Sequence, residues 1–101
     1  MGSLNQLVES VVMVLMVGAV NRSLGVPGAT LSCSISKAGG AFSGISPTVV
    51  DRGFGWYAVT LTASNTDTAG ALVLHVEASG CDNTDQTFDV IPRNRASKLL
   101  A

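Results

Sequence analysis

The chain has one histidine and two cysteines, and these three side chains have the widest range of possible chemistry. A histidine becomes a catalytic base when it lies beside a nucleophile that it can deprotonate. His75 lies in the middle of "ALVLHVEAS", which alternates as a strand does, with no Ser or Cys at a recognisable catalytic spacing. We therefore expect His75 to face solvent or to pack, and the sequence indicates no catalytic residue.

Cys33 and Cys81 flank the only tryptophan, Trp56, an order that also occurs in disulfide-bonded immunoglobulin domains. Those domains place a tyrosine two residues before the second cysteine, where this chain has Ser79. Cys33 alternates in register with Leu31, as a buried strand residue does. The pattern favours buried free thiols over a disulfide.

Two other segments share single features with ligand-binding motifs. Asp82, Asp85 and Asp89 carry the oxygen ligands that calcium prefers, but "DNTD" lacks the alternating spacing and central glycine of a calcium-binding loop. The glycine-rich "GGAFSG" is not followed by a helix or a lysine, as a phosphate-binding loop would be. We expect turns at both segments, with no metal, no cofactor and no enzymatic activity.

The composition limits the classes of function. The 101 residues predict one domain over 1–101, in which 1–3 and about 93–101 are expected to be disordered or derived from cloning. Only 13% of the residues are charged and the net charge is −1, which argues against a nucleic-acid partner. The longest apolar run, Val11 to Val20, is half of the roughly 20 residues that a membrane-spanning helix needs. The first ten residues contain no Lys or Arg, so secretion is not expected.

Short alternating segments separated by turn residues predict an all-β fold. Turn signals recur roughly every 8–12 residues, which is typical of a sandwich or a barrel. We predict an antiparallel β-sandwich or barrel with six to seven short strands and at most one short helical turn near 64–69. The segments that carry the strand pattern are 7–17, 30–36, 45–50, 56–63, 71–79 and 86–91.

The first predicted strand, 7–17, is apolar on both faces. Val11, Met13, Leu15 and Val17 alternate with Val12, Val14 and Met16. A strand of a two-layer sandwich has one buried face and one wet face, so a monomer of this size covers only one of the two. Either a tail or loop of the same chain or a second subunit covers the other face. We favour the second subunit and place that interface at Val12, Val14 and Met16.

The only tryptophan and the only tyrosine are neighbours, Trp56 and Tyr57. Alternation puts Tyr57 on one face with Val59 and Leu61, and Trp56 on the opposite face. Structural use of Trp56 in a core is the favoured interpretation. The alternative is an exposed Trp56 that serves as a binding platform.

The segment from Ser36 to Val90 resembles a small β-sandwich module of tailed-phage and prophage proteins, in which "SK-GG-F" leads to "G-WY-V-LTA-DT-T-G-L-L-A-G-D-TD--F-V". Cys81, Asn65-Thr66 and the apolar N-terminal strand depart from that module. The resemblance implies an immunoglobulin-like, virion- or tail-associated structural module with no catalytic residues. The matching residues are Ser36, Lys37, Gly39, Gly40, Phe42, Gly55, Trp56, Tyr57, Val59, Leu61, Thr62, Ala63, Thr66, Asp67, Thr68, Gly70, Leu72, Leu74, Gly80, Asp82, Thr84, Asp85 and Val90.

The low charge, the two-faced strand and the resemblance together predict a non-enzymatic structural protein that forms a homo-oligomer or binds other virion proteins. Its expected location is the virion, or the bacterial cytoplasm before assembly, with no nucleic-acid or membrane partner. A cargo protein of a mobile element, descended from such a module, is also open. From a different class, the alternative is a monomeric carbohydrate- or protein-binding module that uses Trp56.

Overall fold

Eight strands form two facing sheets in the computed structural model, which describes residues 2–21 and 24–92. The larger sheet has the strand order β1-β8-β7-β3-β4 and the smaller sheet has the order β2-β6-β5. The predicted all-β sandwich is confirmed, while its likeness to an immunoglobulin domain stays a prediction. The strands are β1 (Gly2–Asn5), β2 (Ser10–Leu15), β3 (Ser32–Lys37), β4 (Ser43–Ile45), β5 (Thr48–Gly53), β6 (Trp56–Leu61), β7 (Gly70–Glu77) and β8 (Thr84–Ile91).

Strand β1 was not predicted, and it includes Gly2 and Ser3, which the sequence analysis expected to be disordered or derived from cloning. β1 pairs with β8 in the parallel direction, with Gly2 opposite Phe88, so the larger sheet is not fully antiparallel. Backbone hydrogen bonds to β8 order this polar segment, and Leu4 packs against the core. The other segment expected to be disordered, 93–101, lies outside the described residues.

The segment 45–50 divides into two strands at Ser46 and Pro47, which is the second reason for the larger strand count. Proline has no N–H to donate to a sheet ladder, so the chain leaves β4 and enters β5 in the other sheet. The predicted helical turn near 64–69 is a turn over 63–66, and no helix occurs in the described part of the chain. Asn65 Oδ1 accepts a hydrogen bond from the Thr62 N–H at 2.9 Å in this turn.

The core fills the space between the two inner faces. Leu72, Leu74 and Val76 on β7 are at most 1% exposed, and burial of each such side chain contributes roughly 1.5–3 kcal/mol. Tyr57 faces inward from β6. The whole buried cluster is Val12, Val14, Met16, Cys33, Ile35, Tyr57, Val59, Leu61, Leu72, Leu74, Val76, Cys81, Phe88 and Val90.

The interface predicted at Val12, Val14 and Met16 is wrong, because all three side chains are buried in this core. In the register of β2 with β6, Val12 lies opposite Val59 and Val14 opposite Tyr57, both inward residues. A shift of one residue along a strand exchanges its two faces, and this register turns the even-numbered residues inward. The odd-numbered face is therefore the uncovered one.

Side chains from β8 close the sandwich along β2. Gln86 Nε2 donates a hydrogen bond to the carbonyl oxygen of Met13 at 2.6 Å, and Thr84 Oγ1 donates one to that of Leu15 at 3.0 Å. The Asp82 N–H extends this series by donating to the Val17 carbonyl oxygen at 3.0 Å. The first two contacts occupy main-chain carbonyls of β2 with side chains of β8, and the third continues the series just beyond both strands.

Candidate functional site

The outer face of the three-stranded sheet carries apolar side chains on all three strands, with Thr60 and Thr48 in the row of Val11 at one end. The central row joins Met13 on β2, Ala58 on β6 and Val50 on β5, and in the next row Leu15 lies opposite Trp56. We call this surface the apolar face; its residues are Val11, Met13, Leu15, Val50, Trp56 and Ala58. Val11 is 62% exposed, Met13 43%, Val50 40% and Trp56 40%.

The outer face of the five-stranded sheet is mostly polar. Its central row joins Ser34 on β3, His75 on β7 and Asp85 on β8, and Ser32 lies opposite Glu77 at the neighbouring position. The two outer faces thus differ in character, since one presents hydroxyl, imidazole and carboxylate groups and the other presents large apolar side chains. Large apolar side chains gathered on one outer face mark a contact surface more often than an ordinary solvent-facing sheet.

The aromatic pair of β6 divides between core and surface. Tyr57 is 1% exposed and Trp56 is 40% exposed, so the prediction that they occupy opposite faces is confirmed. The favoured interpretation of Trp56 as a core residue is wrong, because the register that turns Tyr57 inward places Trp56 outside, opposite Leu15. Trp56 is therefore a contact residue of the apolar face.

A cleft of about 440 Å³ opens beside β5, at the opposite side of that sheet from the apolar face. It is lined by the apolar side chains of Ala29, Leu31, Pro47 and Val49, by the Tyr57 ring and by Asp51. Its volume lies within the roughly 300–1,000 Å³ of typical ligand pockets. Gly28 and Thr30 complete the lining, which is therefore mixed: the apolar side chains can contact an apolar group, and the Asp51 carboxylate disfavours an anion.

Asp51 holds the rim of the cleft. Its two carboxylate oxygens accept hydrogen bonds from the Gly28 N–H at 2.9 Å and the Gly53 N–H at 2.8 Å. These two hydrogen bonds hold the pKa of Asp51 below its ordinary value because they stabilise the charged form, and the bond from Gly28 has the larger effect. One side chain thereby ties the β5–β6 hairpin to the turn at 27–28.

The tip of the β5–β6 hairpin presents Phe54, which is 94% exposed. Phe54 has a φ of 57° between Gly53 at 93° and Gly55 at 86°. This left-handed conformation is uncommon for a bulky residue and requires surroundings that enforce it. In the sequence, the signal for this exposed tip is the aromatic residue between two glycines in "DRGFG".

His75 forms a second polar cluster on the opposite outer face. Its Nδ1 lies 2.5 Å from Asp85 Oδ1 and its Nε2 lies 3.5 Å from Glu77 Oε2. The Phe42 ring packs edge-on against the imidazole, with the two ring centroids 5.9 Å apart. The hydrogen bond with Asp85 raises the pKa of His75. With a carboxylate at each ring nitrogen, the imidazole is placed as the centre of an ion-pair cluster rather than beside a nucleophile.

The remaining candidate residues do not assemble into a site. Cys33 and Cys81 are both free and buried, so the preference for free thiols is confirmed, and burial raises the pKa of Cys33. Among residues 2–21 and 24–92, no three His, Cys, Asp or Glu side chains are grouped as a metal ion requires. Asp85, one of the three aspartates considered for calcium, instead pairs with His75.

Comparison with known proteins gives no family and no relative, because no family model and no curated protein matches this chain. In the part of the chain that the structure describes, no helix is long and apolar enough to cross a membrane.

Proposed function

We propose that this protein is a non-catalytic structural module that self-associates through the apolar face. The observation that carries the proposal is the contrast between the two outer faces, one apolar and one polar. A solvated sheet has no physical reason to place Val11, Met13 and Trp56 side by side in water. A second copy of the same surface would remove them from water together.

The geometry favours contact between faces over addition of a strand at the edge of β2. Gln86 and Thr84 already donate to main-chain carbonyls of β2, so a new strand would have to displace them. Two apolar faces related by a two-fold axis would instead pack as two sheets do, about 10 Å apart.

The resemblance of residues 36–90 to modules of tailed-phage proteins supports a role in a virion or a related assembly. In that setting the partner of the apolar face is a second copy or another virion protein. Assembly with either partner requires no catalytic residue. The ion pairing of His75 is consistent with a structural role.

Substitution of Met13 tests the proposal. M13K places a charge in the centre of the apolar face without changing an inward side chain, and T87K places the same charge on the exposed part of the polar face. The solution mass is measured by light scattering at two concentrations that differ tenfold, with circular dichroism to confirm β-structure. We expect the same oligomer mass for the native chain and for T87K, and a lower mass for M13K, because M13K loses the association through the apolar face. A monomeric native chain, or M13K that assembles normally, contradicts the proposal.

A second candidate function, binding of a carbohydrate or a partner protein, is favoured by the 40% exposure of Trp56. An exposed aromatic ring can stack on an apolar sugar face. Trp56 is the only tryptophan, so its fluorescence reports directly on this position. Self-association predicts a blue shift and protection from a soluble quencher as the protein concentration rises. A spectrum that ignores concentration and responds to added glycan supports the binding module instead.

A further inference from the structure

Phe54 is a large apolar side chain that the fold holds in water. It is 94% exposed, whereas most aromatic residues bury a large area on folding. Its position is enforced from two sides, because Asp51 binds the Gly53 N–H and the Phe54 carbonyl lies against Gly25. A Cβ added to Gly25 would lie 2.0 Å from that carbonyl oxygen, so no larger residue fits between the two loops. The main chain of the hairpin tip is therefore held in place, and the Phe54 ring projects from it into solvent.

The same end of the molecule carries a receptor of matching chemistry. The lining of the cleft of about 440 Å³ combines the apolar residues Leu31, Pro47 and Val49 with a polar rim at Thr30 and Asp51, and the cleft is large enough for one aromatic side chain. Asp51, which lines the cleft, also fixes the tip through Gly53. Phe54 does not fill the cleft of its own chain, since its side chain is almost fully exposed.

We infer that Phe54 of one copy of this chain inserts into the cleft of a second copy, and that the contact is reciprocal. A tip and a receptor that lie near each other on one protomer suit a two-fold arrangement, in which residue i contacts residue j and j contacts i. Each pair of chains would then bury two phenyl rings. This contact is separate from the apolar face and does not depend on the proposed function.

Variants that remove either half of the contact test the inference. F54S removes the tip and leaves the cleft intact, whereas T30K places a charged side chain in the cleft from an exposed residue that lines it and leaves the tip intact. T30W is a second variant that fills the cleft with an apolar group. All are made in the M13K background, so that association through the apolar face does not contribute.

Capture between purified, differently tagged variants distinguishes the arrangement. F54S paired with F54S has no tip and T30K paired with T30K has no open cleft, so neither pair should associate. F54S paired with T30K retains one tip and one cleft and should associate, about tenfold or more weakly than two chains with both halves intact. T30W should behave as T30K does.

Three results would overturn the inference: no association between chains with tip and cleft intact, association of F54S with itself, or failure of F54S to bind the T30K chain when both are folded by circular dichroism. In the first case the cleft would instead be a candidate binding site for a small apolar ligand. The result is independent of the M13K test of the apolar face, because a chain can fail one test and pass the other.

Discussion

The Tyr57 hydroxyl lies 2.5 Å from the carbonyl oxygen of Val26 and donates a hydrogen bond to it. The Tyr57 hydroxyl oxygen also accepts a hydrogen bond from the Ala29 N–H at 2.9 Å. One buried side chain thus binds both ends of the segment 26–29, and the cleft keeps its shape because this segment cannot move away from β6. Tyr57 connects the core, through a single polar atom, to the surface that we infer to be functional.

Removal of that hydroxyl should destabilise the fold. Y57F leaves the Val26 carbonyl and the Ala29 N–H without this partner, and a partly buried pair of this kind costs about 1–3 kcal/mol of unfolding free energy. Urea denaturation measures the change. T87V, which removes a hydroxyl from the exposed outer face, should change the unfolding free energy by less than about 0.5 kcal/mol. Equal effects of the two variants would show that the Tyr57 contacts carry no special weight.

Gly25 should not tolerate a side chain. The added Cβ of G25A would lie 2.0 Å from the Phe54 carbonyl oxygen and 2.9 Å from Gly55 Cα, both main-chain atoms that cannot rotate away. Overpacking of this kind costs about 1–3 kcal/mol or more. G44A is the matched control, because a Cβ at Gly44 meets no atom within 4 Å and its φ is not in the left-handed region. A thermal unfolding midpoint that falls for G25A and stays unchanged for G44A is the expected outcome.

The His75 cluster should make stability depend on pH. Asp85 raises the pKa of His75 in the folded chain above the value of about 6.5 that an unfolded chain has. The stabilisation is therefore fully present below about pH 6.5 and is lost as the pH rises through the folded-state pKa. The denaturation midpoint should fall with rising pH in this window, and D85N should flatten the dependence.

E77Q provides the control for this prediction, since Glu77 lies 3.5 Å from the imidazole and Asp85 lies 2.5 Å from it. E77Q should preserve most of the pH dependence. Nuclear magnetic resonance titration of the His75 ring measures the direction of its pKa shift directly. A His75 pKa that does not fall in D85N would contradict the assignment.

The two cysteine thiols should be unreactive in the folded chain. Cys33 is 3% exposed and Cys81 is 9% exposed, and burial raises the pKa of Cys33, which lowers its thiolate fraction. A thiol reagent such as Ellman's reagent should label neither rapidly under native conditions and both in denaturant. Rapid native labelling would mean that the two sheets separate readily, whereas no labelling in denaturant without reductant would indicate a disulfide.

Much of the fold follows from local pattern. The alternation in "GALVLHVE" predicts β7 because a pleated strand turns successive side chains to opposite faces, and Leu72, Leu74 and Val76 do face inward. The separation of Tyr57 from Trp56 follows by the same rule. Strand β1 could not be found this way, since "GSLN" has no apolar alternation and is ordered by hydrogen bonds to β8 at the far end of the chain.

The candidate site was less accessible to sequence reasoning. β2 is apolar on both faces, so its pattern predicts an uncovered apolar face but cannot tell Met13 from Val14. The cleft is formed by residues of the β2–β3 and β4–β5 connections together with residues of β5 and β6. No sequence motif shows that these segments meet. Phe54 is distinguished by its exposure and by its φ, and neither property can be read from the sequence.

The sequence by itself determined that this chain is all-β, that its strands alternate, and that Trp56 and Tyr57 are on opposite faces, because strand periodicity is a local property of the backbone. Tertiary structure alone decided which face is inner, through the register that sets Val14 against Tyr57. It also decided that Gly25 meets Phe54 and that Asp51 binds Gly28, contacts that join separate loops. Such long-range pairings depend on how two sheets stack, and no local preference specifies them.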